Sequence, residues 1–397
     1  FERSFGLING AGSHFTDLGL LMMQPKALYR EDGRLVPLPE NFYSTRTYTD
    51  KLLAYLGGER ADGEPFFAYL AFTAPHWPLE APMESVAKYF GKYDDGYDVL
   101  LERRLSRMKA LGLVDEDAPV QPRLQGEPLW TELTEEERRI EARKMELYAA
   151  MVDDLDKNVG RVIDYPDATG ELDNTVIVFM GDNGAALFRG KGTLFETGLN
   201  VPLIVRYPDK VKAGSVYHEL ISGEDIAPTL LDFAGLNPLP KMTGKTFKPL
   251  MEGHQYDGHQ YVFAERGPHG SELPTSTTHF DLSRCVIGDR YKLIYRAMWQ
   301  LPFAPADFYS QPFWAELQQM SADGELGEPW NTLYFSPQRP MFDLYDLKKD
   351  PHELNNLAGK VEFSKIEEEL KEALQEWMIL NQDHIPLPVP PSYKRIK

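Results

Sequence analysis

The stretch TVIVFMGDNGAALFRGKGTLFETGLNVPLIVRYP, Thr175 to Pro208, decides the fold. Two apolar runs in it, Val176 to Met180 and Val201 to Val205, are short, β-branched and bounded by glycine or proline, and read as buried parallel strands. The polar loop between them carries Asp182, Asn183, Arg189, Lys191 and Glu196. In an open α/β sheet, ligands bind beyond the carboxyl ends of the strands, so the first run delivers Asp182 and Asn183 to that edge. A carboxylate beside a carboxamide supplies hard oxygen ligands for Ca²⁺ or Mg²⁺. Lys191, a compact cation a few residues later, suits an anionic substrate. Gly181 and Gly184 permit a sharp turn there. The plainer alternative is that Asp-Asn-Gly is simply a turn.

The other segments supply a second chemical candidate and the scaffold. FFAYLAF, residues 66–72, reads as another apolar strand, followed at once by TAPHWPLEAP. His76 lies there between two prolines that fix the backbone, suited to general-acid work on a leaving group or else an ordinary loop histidine. His14, in the glycine-rich start FERSFGLINGAGSHFT, is a candidate substrate contact or an incidental loop residue. A helix is expected over 40–58 with Thr47 as its cap, and a basic one from Leu101 to Leu111 stopped by Gly112. Thr134 and Glu137 form a capping box that opens a long helix to about Ile163. Its apolar positions Ile140, Met145, Tyr148, Ala149, Val152, Leu155, Val159 and Val162 keep a 3.6-residue period and are expected to face the sheet. Asp153, Asp154 and Asp156 read as solvated charges on it. A short packed helix follows over 226–234, then a hairpin over 284–296, a short strand and turn over 341–358, and a final helix over 361–380. His254 and His259 match no zinc spacing.

Composition bounds the partners. The 397 residues, 42% hydrophobic and 12% aromatic, can bury a large core. The net charge of −19 argues against nucleic acid or an anionic membrane, so an anionic substrate needs a local positive site. One cysteine, Cys285, allows no internal disulfide, and no long apolar run suggests a membrane span. The texture changes near 237–258, which places a boundary between a portion 1–245 and a portion 246–397.

The combination resembles type I sulfatases of the alkaline phosphatase superfamily, with a particular likeness to bacterial arylsulfatases. The resemblance is carried by APHWPLEAP at 74–82, YAAMVDDLDKNVGRVI at 148–163 and DNTVIVFMGDNGA at 173–185. It continues through KGTLFETGLNVPLIVRYP at 191–208, DIAPTLLDFAG at 225–235 and LYDLKKDPHELNNLA at 344–358. It implies an alkaline-phosphatase-like α/β fold: a mixed, mostly parallel sheet flanked by helices, with a smaller C-terminal α+β subdomain containing an antiparallel sheet. It implies a metal-dependent sulfuric ester hydrolase in which a formylglycine hydrate attacks sulfur. By motif, Asp182 and Asn183 match the second half of the metal site, calcium ahead of magnesium. Lys191 matches the lysine that binds the sulfate oxygens, and His76 the histidine that contacts sulfate and protonates the leaving group. His14 and Arg189 are candidate substrate contacts, with Trp77 and His269 as further rim residues. The implied partner is a sulfated small molecule or sulfated sugar, and the implied location periplasmic or secreted.

The sequence also departs from the family. No C-x-P-S-R or C-x-A-S-R segment occurs, and Cys285, in RCVIGDR, reads as a small strand residue. The paired aspartates that begin the metal site and a GKWHLG-like segment are absent too. A missing N-terminal segment or separate chain of roughly a hundred-odd residues is therefore expected to carry them. Lys191 follows Asn183 by only eight positions, which predicts an open pocket mouth. Thr197 stands where a glycine is common, which predicts a slightly shifted lysine loop. The rivals are a phosphomonoester or phosphonate hydrolase of the same superfamily, and a non-catalytic relative that binds sulfated ligands.

Overall fold

The computed structural model describes the chain except residues 9, 22–23, 59–62, 121, 269–276, 278–279, 307, 310 and 384–397. His269 and the proline-rich tail thus lie outside the described residues. The described residues form two compact units, one of 1–118 with 128–175, the other of 119–127 with 176–397. No described helix is long and apolar enough to cross a membrane.

The first unit begins with five short strands, β1 (Phe5–Leu7), β2 (Leu18–Leu21), β3 (Gln24–Lys26), β4 (Tyr29–Glu31) and β5 (Arg34–Val36), paired antiparallel as β1-β4-β5 and β2-β3. Helices α1 (Ser44–Leu56), α2 (Met83–Val86), α3 (Tyr97–Ala110) and α4 (Glu135–Ala168) follow. Gly112 adopts φ +67 just past α3, the left-handed stop the sequence predicts. At about 1.5 Å per residue, the 34 residues of α4 run roughly 50 Å. Its Thr134–Glu137 capping box forms as read, with Thr134 N–H donating to Glu137 at 2.7 Å.

The buried face of α4 is not the expected one. Ala142, Glu146, Ala150, Asp154 and Asn158 recur every fourth residue and are buried together with Met151, whereas Ile140, Tyr148 and Val152 are exposed. The small alanines admit the 83–91 segment closely, and the acids serve it as acceptors. Glu146 takes the Gly91 N–H at 2.8 Å, and Asp154 takes the Ser85 hydroxyl at 2.6 Å. Asp154 is therefore a buried hydrogen-bond acceptor rather than a solvated charge, because paired polar groups can stand where a hydrophobic count places none. Residues 66–72 also differ from expectation: they join no described ladder. Leu70 and Phe72 pack on the Ala27, Tyr29, Phe42 and Tyr48 core, while Phe67 and Tyr69 are 66% and 73% exposed. An apolar run alone makes a segment strand-like; a strand needs a partner edge.

The second unit opens with β6 (Ile177–Met180), α5 (Glu196–Leu199) and β7 (Leu203–Arg206). β6 and β7 are antiparallel, Ile177 opposite Arg206 and Met180 opposite Leu203, which corrects the parallel reading. A parallel neighbour needs a long crossover, usually a helix packed on the sheet, whereas residues 181–202 hold only the single turn α5 and return directly. After α6 (Ile226–Phe233) and α7 (Lys248–Met251) come β8 (Val262–Pro268), β9 (Phe280–Ile287) and β10 (Tyr291–Arg296). Helices α8 (Pro312–Ala322) and α9 (Trp330–Phe335) form an excursion before β11 (Phe342–Asp346) and α10 (Ser364–Leu380). The expected hairpin is β9–β10, extended to a four-stranded antiparallel sheet in the order β11-β10-β9-β8.

Strand alternation gives this sheet two different faces. On one, Val286, Leu293 and Leu344 pack on Leu370 and Leu374 of α10, an apolar core. On the other, Cys285 and Ile294 meet Leu194 and Phe195 of the loop between β6 and β7. That second face also carries buried charge: Lys292, Arg296, Asp343 and Asp281.

Candidate active site

The first unit places His76 on the loop after residues 66–72. The His76 Nδ1 lies 2.8 Å from the Trp77 carbonyl, which only accepts, so Nδ1 carries the proton and Nε2 has no partner among the described residues. His14 packs against the backbone of that loop. It is 2% exposed, with Nε2–H donating to the His76 carbonyl at 3.0 Å and Nδ1 2.8 Å from the Ser44 hydroxyl. The Ser13 hydroxyl and His14 N–H both donate to Glu80, at 2.9 and 2.7 Å, so residues 13–14 tie down the loop at 76 and again at 80. Trp77 is half exposed next to His76, their ring centroids 5.1 Å apart.

Burial holds the His14 imidazole below its ordinary range, against a smaller opposing pull from the His76 carbonyl. An unfolded chain then binds a proton below about pH 6.5 that the folded chain refuses, so stability rises with pH across that window. We expect wild-type melting temperature to fall between pH 7 and pH 5, and His14→Gln to flatten that dependence. An unchanged slope in the variant would assign the effect to other groups.

The second unit places Asp182, Asn183, Arg189 and Lys191 on one loop, whose shape is set by glycines that let backbone touch backbone. A Cβ on Gly184 would lie 1.9 Å from the Thr197 carbonyl, and one on Gly190 2.2 Å from that of Ala185. Gly184 N–H donates to the Gly198 carbonyl at 3.0 Å, and Lys191 N–H to that of Ala185 at 2.9 Å. Close approach, rather than a special φ, is why glycine stands at 184. Thr197 has a use that glycine lacks: its hydroxyl donates to the Arg189 carbonyl at 2.6 Å, drawing the two halves of the loop together.

Three side chains of the loop face outward with their chemistry available. Among the described residues, nothing donates to the exposed Asp182 carboxylate, and the half-buried Lys191 ammonium has no hydrogen bond or ion pair. The Asn183 amide nitrogen donates to the Gly184 carbonyl at 2.8 Å, which leaves its oxygen as an acceptor. Adjacent carboxylate and amide oxygens fit a hard divalent cation such as Ca²⁺, which takes six to eight oxygens. They are two donors only: no cluster of three or more His, Cys, Asp or Glu suited to a metal occurs among the described residues.

Arg189 is turned the other way. It is 6% exposed, with φ +64, and its fork donates to the Tyr334 hydroxyl at 3.3 Å and the His352 and Glu353 carbonyls at 3.1 and 3.0 Å. Its guanidinium carbon sits 3.7 Å from the centre of the Phe195 ring. The candidate substrate contacts His14 and Arg189 thus both have their donors engaged inside the protein. Cys285 is fully buried in β9, and burial pushes its thiol up to about 12, so it is no nucleophile.

Sequence reasoning missed Lys292, Glu353 and the role of Glu196. Lys292 is fully buried, 2.7 Å from Glu353 and 2.8 Å from Glu196. The only signal for it is period-two alternation, which puts Lys292 on the same inward face as Ile294.

A family model described as Sulfatase matches residues 12–236, and one described as N-sulphoglucosamine sulphohydrolase, C-terminal, matches 184–301. The chain belongs to the type I sulfatases of the alkaline phosphatase superfamily. It is 34% identical over 361 residues to an uncharacterized sulfatase of Schizosaccharomyces pombe, covering 74% of this chain and 62% of that protein. It is 29% identical over 299 residues to an arylsulfatase of Klebsiella aerogenes, covering 63% and 64% respectively. The chain thus spans a little under two thirds of the length of these two relatives. Its fold is similar, with a TM-score of 0.60 at 22% identity, to a solved structure described as in complex with its substrate D-glucosamine-2-N,6-O-disulfate. That likeness covers 97% of this chain and 77% of the other.

Proposed function

We propose that this chain is the sulfate-gripping part of a sulfuric ester hydrolase acting on a sulfated small molecule or sulfated sugar. The observation that carries the reading is the Lys191 ammonium, without a partner among the described residues, on the same glycine-locked loop as the open Asp182 and Asn183 oxygens. A strongly acidic protein keeps that lysine without a carboxylate partner, which suits an anionic ligand. The sulfated sugar finds support in the family model matched over 184–301, and the ester hydrolase in the family itself.

In this reading Asp182 and Asn183 hold part of the coordination shell of Ca²⁺, the remaining oxygens coming from outside residues 1–397. The bound cation would supply Lewis-acid polarisation of a sulfate oxygen. Lys191 neutralises the charge that gathers on the sulfate oxygens as the ester bond breaks. His76, protonated on Nε2 while the Trp77 carbonyl holds Nδ1–H, gives its proton to the leaving alcohol oxygen. The S–O bond to that alcohol breaks as a new bond to sulfur forms from the attacking oxygen, which we assign to a formylglycine on polypeptide outside this chain. His14 and Glu80 hold the His76 loop and do not touch the substrate.

Calorimetric titration of the chain with inorganic sulfate, with and without calcium, tests the binding half. Binding that strengthens with calcium and disappears in Lys191→Ala is expected. Equal sulfate affinity in wild type and Lys191→Ala would remove the basis of the proposal.

A further inference from the structure

The buried ion pair beneath the lysine loop has no part in the chemistry proposed above, yet it bears directly on where Lys191 stands. We propose that Arg189, Lys292 and Glu353 are positioning residues: they rivet the loop to the sheet on either side of Lys191. The proposal deepens the reading of the loop as a sulfate and cation site, and rests on it for its consequence but not for its geometry.

Glu353 is the shared anchor. Its carbonyl, with that of His352, accepts from the Arg189 fork at the near end of the loop. Its carboxylate accepts the Glu196 N–H at 2.7 Å at the far end, and the Lys292 ammonium at 2.7 Å from β10 below. The Glu196 carboxylate takes the same ammonium at 2.8 Å. Residues 189 and 196 are thus fixed to one residue, Glu353 in the turn after β11, which Lys292 ties to β10, with Lys191 on the arch between them. Within the arch, the Thr193 and Thr197 hydroxyls both donate to the Arg189 carbonyl, at 2.7 and 2.6 Å.

The backbone supports the same conclusion. Arg189 and Glu353 both adopt a left-handed conformation, φ +64 and +55, which costs a side-chain-bearing residue energy and persists only where the surroundings over-determine it. That two residues bonded to each other both hold it marks the junction as built. The left-handed turn at Arg189 sends its side chain inward, while Lys191, two residues on, has no partner for its ammonium among the described residues. Burial alone would pull the Lys292 ammonium down, but Glu353 and Glu196 outweigh it and keep it charged. Buried ion pairs are poor sources of net stability, because desolvation offsets their attraction. What a buried pair supplies better than apolar contacts is a directional, single-register fit, which a loop carrying three chemical groups needs.

The test uses the 397-residue chain, reading hydrogen exchange over 181–199 and over β9–β10, with calcium and inorganic sulfate affinities measured alongside. In Glu353→Gln and Arg189→Lys, loop amides such as Gly184, Lys191 and Gly198 are expected to exchange at least about tenfold faster while β9–β10 amides keep their rates. Sulfate affinity should weaken by about tenfold or more in the same variants. If the single variants fold poorly, Lys292→Met with Glu353→Met replaces the pair by apolar groups of similar length, and is expected to fold with a fast-exchanging loop. Wild-type loop exchange in that double variant, or acceleration spread evenly over loop and sheet, overturns the proposal. Failure of wild type to bind sulfate would strike the functional reading instead, and leaves the exchange result to judge the rivets.

Discussion

Lys292→Met is expected to destabilise the chain by about 3–5 kcal/mol, because it leaves two carboxylates facing a buried methionine. Lys292 is fully buried, with Glu353 nearly so, and neither acid has a second cation among the ion pairs of the described residues. Removing one partner of such a pair exposes the whole desolvation cost of the other. Removing both is different. The Lys292→Met, Glu353→Met double variant is expected to recover most of the loss, since matched apolar groups often equal a buried pair. Urea unfolding of the wild type, both single variants and the double variant gives the coupling between the two positions. A double variant as unstable as the sum of the singles would show that the pair does not act as a unit.

Lys191→Ala should cost about a hundred- to a thousandfold in kcat/KM for sulfate ester cleavage, measured with this chain joined to the formylglycine-bearing polypeptide that the proposal calls for. The ammonium has no structural partner among the described residues, so its removal leaves no buried group orphaned, and the melting temperature should hold. That separation of activity from stability distinguishes a charge kept for a ligand from one kept for the fold. Lys191→Arg is not expected to restore the rate, since a planar fork reaches a tetrahedral anion in a different geometry from a point charge. A Lys191→Ala variant within threefold of wild type, folded equally well, would move the sulfate grip to another residue.

Sequence chemistry made the outward-facing half of the loop legible. Asp182, Asn183 and Lys191 stand out as polar residue types in a glycine-rich setting, and the structure leaves all three at least partly accessible on one loop. The α4 capping box and the β9–β10 hairpin were legible for a similar reason: their signals are local. What lay beyond reach depends on partners distant in the chain. The orientation of β7 against β6 depends on the path of residues 181–202, which two apolar runs cannot specify. The buried face of α4 is written in alanine and paired acids, which a search for large apolar residues passes over. Arg189 and Lys191 look equivalent as cations two residues apart. Only the left-handed φ at Arg189 and the waiting carbonyls at 352 and 353 separate it, an inward clamp, from Lys191, which has no partner among the described residues. The burial of His14 was illegible on the same ground, since its partners, Ser44 and the His76 carbonyl, are far away in sequence.

The most direct test of the account is release of inorganic sulfate from an aryl sulfate and from a sulfated glucosamine by this chain joined to the formylglycine-bearing polypeptide that the proposal calls for. The measurement compares wild type with Asp182→Ala and Lys191→Ala, with calcium present and after chelation. The account predicts calcium-dependent sulfate release from at least one of the two, lost or greatly reduced in both variants. No sulfate release from such a protein with its formylglycine shown to be formed, or release unaffected by either substitution, would contradict it.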